Sequence, residues 1–300
     1  MAAQDKFSFY LYDPSSAAAG IFITLFLLST LCHAYQLFSK RTWYFIPFLI
    51  GGAFETVGYI GRMLSSKQTP GEWTLGPYII QSLLILLAPA LFAASIYMIL
   101  GRIILLTDGE SHSLVRSRWL TKVFVTGDVL SFLVQSGGGG MLAQAKKAST
   151  ISLGQNMITA GLVVQVLFFG FFIVVSGVFH YRIALYPTAR SASIELPWQK
   201  YLFVLYAAGV FIMIRSVFRI VEYVQGNDGY LLEHEAFIYV FDATLMFFTM
   251  LLFNILHPSR IIMKGNASIV EGSTYRTGST TSVGYVMPAY SNKSPPPIQE

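Results

Sequence analysis

The sequence predicts an all-α, polytopic membrane protein with seven transmembrane helices, the N-terminus outside and the C-terminus in the cytosol. Three observations carry this: a scarcity of charge, seven long apolar runs, and an uneven distribution of Lys and Arg along the chain. Of the 300 residues, 54% are hydrophobic, 15% aromatic and 12% charged, whereas soluble domains carry roughly 25% charged residues. A helix needs about 20 mostly apolar residues to cross a bilayer. The runs are continuously apolar, which favours helices over an alternating barrel, because a helix satisfies its own backbone in lipid.

Residues 1–16 are expected to form an exoplasmic segment. They carry Asp5, Lys6 and Asp13 and show no short apolar stretch with a small-residue cleavage site, so the first span is expected to serve as the insertion signal. The transmembrane domain covers 17–258. Its predicted spans are Ala17 to Phe38, Trp43 to Leu64, Tyr78 to Leu106, Leu120 to Leu142, Met157 to Ile183, Tyr201 to Val224 and Glu235 to His257. Pro47 and Pro89 fall inside spans, where neighbouring helices can satisfy the freed carbonyls. The single cysteine, Cys32, lies in the first span and excludes a disulfide framework. Residues 259–300 turn rich in Ser, Thr, Gly, Pro and Asn and are read as a disordered cytosolic tail, whose two Asn-X-Ser triplets would face the cytosol and stay unmodified.

Orientation follows from counting Lys and Arg. With the N-terminus outside, Lys40, Arg41, Arg102, Arg116, Arg118, Lys122, Arg182, Arg190, Lys200, Arg260, Lys264, Arg276 and Lys293 are cytosolic, and Lys6, Arg62, Lys67, Lys146 and Lys147 are not. Thirteen against five fits the positive-inside bias. Trp43, Trp73, Trp119 and Trp198 fall at predicted interfaces, as an aromatic belt requires. The net charge of +5 is spread over these loops rather than gathered into a basic stripe, so no nucleic-acid partner is expected.

Ionisable groups are costly at membrane depth and normally line a functional interior. The second span carries Glu55, Tyr59 and Arg62, the sixth Arg215, Arg219 and Glu222, and the seventh Glu235, Tyr239 and Asp242. Each trio is spaced i, i+4, i+7 and shares a helix face. Together they are expected to line a cavity open to the outside. Three arginines against four carboxylates leave one negative charge, suited to a cation. Some of these charges are expected to form structural ion pairs, with Arg219 the first candidate. Asp128 and Gln135, seven apart in the fourth span, are added to the same site.

Other constellations point away from chemistry. Gly137 to Gly140 has neither the preceding strand nor the Lys-Ser/Thr of a phosphate loop, and reads as close packing or a helix break. His33, His180 and His257 map to cytosolic span ends, but no two share a helix at i, i+4, so no metal is expected. No cofactor is expected either, and the chain is read as a non-enzyme. A faint echo between spans one to three and five to seven (His33 and His180, Trp43 and Trp198, Tyr59 and Tyr223) fits either a parallel duplication or chance.

Several strings resemble one known family: Tyr12-Asp13-Pro14-Ser15, GGAFETVGYIGR from Gly51 to Arg62, APALFAASIYMILGRII from Ala88 to Ile104, KVFVTGDVLSFLVQSGGG from Lys122 to Gly139, and the stretch from Ile214 to Met246. They are similar to the fungal lipid-translocating exporters, the RTA-like proteins, over residues 12 to 259. The resemblance implies a multi-pass, plasma-membrane protein. It also implies partners that are membrane lipids or amphipathic small molecules, such as sphingoid long-chain bases or amine-bearing amphiphiles. A cavity with surplus carboxylate suits an ammonium head, paired by Glu55 or Asp242. The alternative is a seven-span lipid-sensing receptor or regulator of lipid asymmetry. Oligomeric state and substrate stay open.

Overall fold

Sequence composition, read as helices, is what the fold delivers: every regular element among the described residues is helical. The computed structural model describes Tyr10 and residues 12–69, 72–143, 148–194, 197–225 and 229–259. All of them belong to the first of two units into which the chain divides, Met1–Ile262; the second, Met263–Glu300, and with it nearly all of the predicted tail, lies outside the described residues. So do the first nine residues and Lys146 and Lys147, which the sequence places outside.

The long helices are α1 (Ser16–Lys40), α2 (Ile46–Ser66), α3 (Leu75–Leu106), α4 (Ser117–Ala143), α5 (Ala148–Leu185) and α7 (Trp198–Gln225), with a short α6 (Ala189–Ser193) between the last two. The final crossing is built in pieces: α8 (Tyr230–Glu233), α9 (Glu235–Ile238), a π turn (Tyr239–Ala243) and α10 (Thr244–Ile255). Six of these segments are long and apolar enough to cross a membrane. The 27-residue α4 is long enough but falls short in apolarity, since Asp128, Gln135, several serines and four glycines dilute it. The chain is therefore a polytopic membrane protein, with α4 the element on which a count of seven depends.

Helix ends follow local chemistry. Ser15 caps α1, its hydroxyl accepting from the Ala18 amide at 3.3 Å, and Arg41 ends it in the left-handed region at φ 49°. Pro47, expected inside a span, sits in the first turn of α2 after a 3-10 turn (Trp43–Phe45), where its missing N–H costs nothing. Pro89 does lie within α3.

Consecutive long helices pack side by side, α10 returns to α1, and α3 meets α7 across the middle. α3 is the most enclosed helix and α1 the least, with Ile21, Leu28, Leu31, Tyr35 and Phe38 facing outward. Two close approaches make the packing possible. A Cβ on Gly138 would come within 2.7 Å of the Gly154 carbonyl, and one on Gly154 within 2.9 Å of the Gly138 carbonyl, so α4 and α5 touch backbone to backbone. The glycine run is thus a contact surface in a continuous helix. Gly58 and Gly61 let α3 lie equally close to α2.

The two ends of the bundle can be told apart. At one, Arg102 stacks over Tyr44 at 4.2 Å, Thr188 bonds the Thr107 carbonyl, and the Tyr201 hydroxyl donates to the His257 carbonyl at 3.4 Å. At the other, Tyr10, Tyr12 and Ser15 meet Trp73, Gln81, Arg62 and Glu235. Of the expected belt, Trp43 and Trp119 are exposed, but Trp198 is 7% exposed and packs into the core, so it is not a belt residue.

Candidate functional site

Three helix faces converge near the end of the bundle that holds Tyr10 to Ser15. Arg62 of α2 is buried; its Nη2 donates to Glu235 Oε1 at 2.7 Å and to the Tyr12 hydroxyl at 2.7 Å, and its Nε to the Tyr239 hydroxyl at 3.0 Å. The Ser15 amide donates to both Glu235 oxygens, at 2.9 and 3.0 Å, which ties the start of α1 to α9. Burial raises the pKa of the Tyr12 phenol, with Arg62 opposing, so this hydroxyl stays protonated.

Two helical turns deeper, about 10 Å along the axis, lies a second layer. Arg215 Nε donates to Asp242 Oδ1 at 2.7 Å, and its Nη2 donates to the Ile85 carbonyl at 2.9 Å. Arg219 bridges Glu222, at 2.8 Å, and the other oxygen of Asp242. Arg219 is thus paired, as expected, and Asp242 is occupied by two guanidinium groups at once.

The π turn sets this geometry. It inserts an extra residue in the turn between Tyr239, which serves Arg62, and Asp242, which serves Arg215 and Arg219. The Tyr239 carbonyl takes the Thr244 amide across the wider turn and also accepts from the Thr244 hydroxyl at 2.7 Å. π turns often occur at functional sites.

Glu55 stands apart within the same layer. It is 0% exposed, faces Asp242, Arg215 and Arg219, and neither of its oxygens has a hydrogen-bond partner. The Tyr59 hydroxyl, one turn along α2, is likewise unpartnered, and its ring stacks on Phe22 at 5.8 Å and Phe26 at 5.5 Å.

Nine of the eleven predicted residues therefore come together: Glu55, Tyr59, Arg62, Arg215, Arg219, Glu222, Glu235, Tyr239 and Asp242. Their charges pair in direct contact, and only Glu235 and Arg219 of the paired groups keep side-chain exposure above a few per cent, 17% and 13%. Asp128 and Gln135 belong elsewhere. Asp128 accepts from the Tyr97 hydroxyl at 3.0 Å, Tyr97 itself packing among Phe124, Phe169 and Phe172, and Gln135 donates to Gln165 at 3.1 Å between α4 and α5. Their seven-residue spacing gave them one face of α4, but that face turns to α3 and α5 rather than to α2 and α7. Among residues not anticipated, Tyr12 and Tyr97 had a signal in the quoted strings Tyr12 to Ser15 and Ala88 to Ile104, whereas Gln165 and the Ile85 carbonyl had none at the level of pattern.

His33 Nε2 donates to the Met250 carbonyl, 3.1 Å away, with its ring against Phe45 and Phe48; His257 also packs on Phe45, while His180 stacks on Tyr206. No group of three or more His, Cys, Asp or Glu among the described residues is arranged to hold a metal.

Fold and site together define a multi-pass membrane protein whose helices bury a layered network of arginines and carboxylates. The chain belongs to the RTA1-like family: the family described as RTA1 like protein matches residues 48–265. It is 40% identical to Protoporphyrin uptake protein 1 of Saccharomyces cerevisiae, over 83% of this chain and 91% of that one. It is 37% identical to Protein RTA1 of the same yeast, over 85% and 86%. It is 26% identical to the Sphingoid long-chain base transporter RSB1 of that species, over 84% and 71%. No solved structure matches the chain.

Proposed function

We propose that this protein moves amphipathic molecules with a cationic head across the plasma membrane, through seven spans with the N-terminus outside. The observation that carries the reading is Glu55: an acid wholly enclosed at membrane depth, without a hydrogen bond, next to a network in which every other carboxylate already has an arginine. Such a group is costly unless a ligand balances it. An ammonium head would do so, while the tail lies among Phe22, Phe26 and lipid. Asp242, considered alongside Glu55 from the sequence, has both oxygens committed to arginines, which leaves Glu55 as the acceptor.

Two further facts support the reading. A similar yeast protein carries the name of a sphingoid long-chain base transporter, an amine-bearing lipid. The bundle end that gathers Arg102, the 186–201 connection and His257 is the end rich in Lys and Arg, in keeping with a cytosolic face.

Purified protein in vesicles should accelerate the movement of a fluorescent long-chain base between leaflets, and Glu55→Gln should abolish that acceleration. Vesicles in which the wild-type protein gives no movement above the protein-free rate would sink the transport reading and favour a receptor.

A further inference from the structure

The arginines and carboxylates of the cluster balance without Glu55. Arg62 pairs with Glu235, Arg215 with Asp242, and Arg219 with Glu222 and Asp242, three cations against three acids. Glu55 is the fourth acid, and ionised it would be a surplus negative charge, buried and without a hydrogen bond. The titratable and charged groups that face it are Tyr59 on its own helix, Arg215 and Arg219 on α7, and Asp242 on the π turn. From the other helices packed on this part of α2, α1 presents Thr30 and α3 presents Ile85, both uncharged. Arg215 is held by Asp242 and the Ile85 carbonyl and Arg219 by Asp242 and Glu222, and the N–H groups they have left, Arg215 Nη1 and Arg219 Nε, make no hydrogen bond to Glu55.

We infer that Glu55 is a proton-exchange site: it holds a proton while the cationic head is absent and releases it when the head binds, so that one proton moves against each amphiphile. This rests on the transport reading and adds the ion that is exchanged. The balance is simple. The carboxylic O–H breaks, its proton passes to water, and the carboxylate left behind pairs with the incoming cation; on release the steps reverse. The site then carries the same total charge whether it holds a proton or a head group, so neither loaded state exposes an unbalanced charge to the low-dielectric interior.

The test uses the purified full-length chain and a long-chain quaternary ammonium salt, whose positive charge is fixed and cannot itself titrate. Calorimetry in two buffers of different ionisation enthalpy should show one proton released per cation bound, with affinity rising about ten-fold per pH unit over the range in which Glu55 holds its proton. In vesicles, a pH difference of one unit should concentrate the cation about ten-fold on the acidic side. Glu55→Gln should release no proton and lose the pH dependence of any binding that remains. Cation movement with no proton release and no response to the pH difference would overturn proton exchange alone and leave transport standing. Proton release that persists in Glu55→Gln would also overturn it, by moving the site to another group. No binding and no movement by the wild-type chain would overturn the transport reading and this inference together.

Discussion

Asp242 and Glu55 are both carboxylates at 0–1% exposure in one cluster, yet their surroundings give them opposite roles. Asp242 is clamped by two guanidinium groups, so removing any member strands a buried charge, at a cost of about 3–5 kcal/mol. Arg219→Leu and Asp242→Asn should therefore both reduce the amount of folded protein, seen as a smaller monodisperse peak from detergent extracts and lower surface abundance. Glu55→Gln strands nothing and keeps the shape of the side chain, so its abundance should match wild type while tolerance of cells to a sphingoid base falls. Equal loss of folded protein in all three variants would mean that Glu55 serves packing as the arginine pairs do. The residue types and their shared helix faces were legible in the sequence, because the i, i+4, i+7 spacing needs no tertiary information. Which carboxylate lacked a partner was not legible: that depends on how three helices meet, and charge arithmetic alone showed only that one acid was left over.

Helices read from apolar runs were placed within a few residues at most ends, because leaving the bilayer and breaking the apolar pattern coincide. The errors have physical causes. α5 begins at Ala148, nine residues before its predicted start at Met157, because a helix continues through polar residues beyond the apolar stretch as long as its backbone bonds are met. The π turn was invisible, since one extra residue leaves the apolar content unchanged while shifting the register of Tyr239 and Asp242. The glycines of α4 offer the sharpest test at this scale. Gly138 faces the Gly154 backbone at a distance that leaves no room for a Cβ, whereas a Cβ on Gly139 meets nothing within 4 Å. Gly138→Val should push α4 off α5 and destabilise the protein by about 1–3 kcal/mol, and Gly139→Ala should be neutral or stabilising by up to about 1 kcal/mol. Thermal unfolding of the purified variants separates the two. Similar shifts for both would mean that the run acts through helix propensity and not through the α4–α5 contact.

At the scale of the whole molecule, function depends on which end of the bundle faces out, because the charged cluster lies toward the end that holds Tyr10 to Ser15. Internal geometry pairs the ends without orienting them; the proposed direction comes from the Lys and Arg bias. The orientation also depends on α4, since six crossings would return the C-terminus to the side of the N-terminus, and seven would not. α4 packs between α3 and α5 and shares with α5 the backbone contact at Gly138 and Gly154. A polar helix can cross when its Asp128 and Gln135 are satisfied by Tyr97 and Gln165 rather than by lipid. Glycosylation acceptors inserted at single positions read this directly. A site placed between Ser65 and Gly76 should be modified, and one between Thr107 and Ser117 should not. An acceptor between Leu185 and Trp198 decides the count: with α4 crossing it lies in the cytosol and stays unmodified, and without it the loop reaches the lumen and is modified. Modification there, with the first two sites behaving as expected, would reduce the spans to six and put the ends of α5 and α7 that flank Trp198 on the outer face.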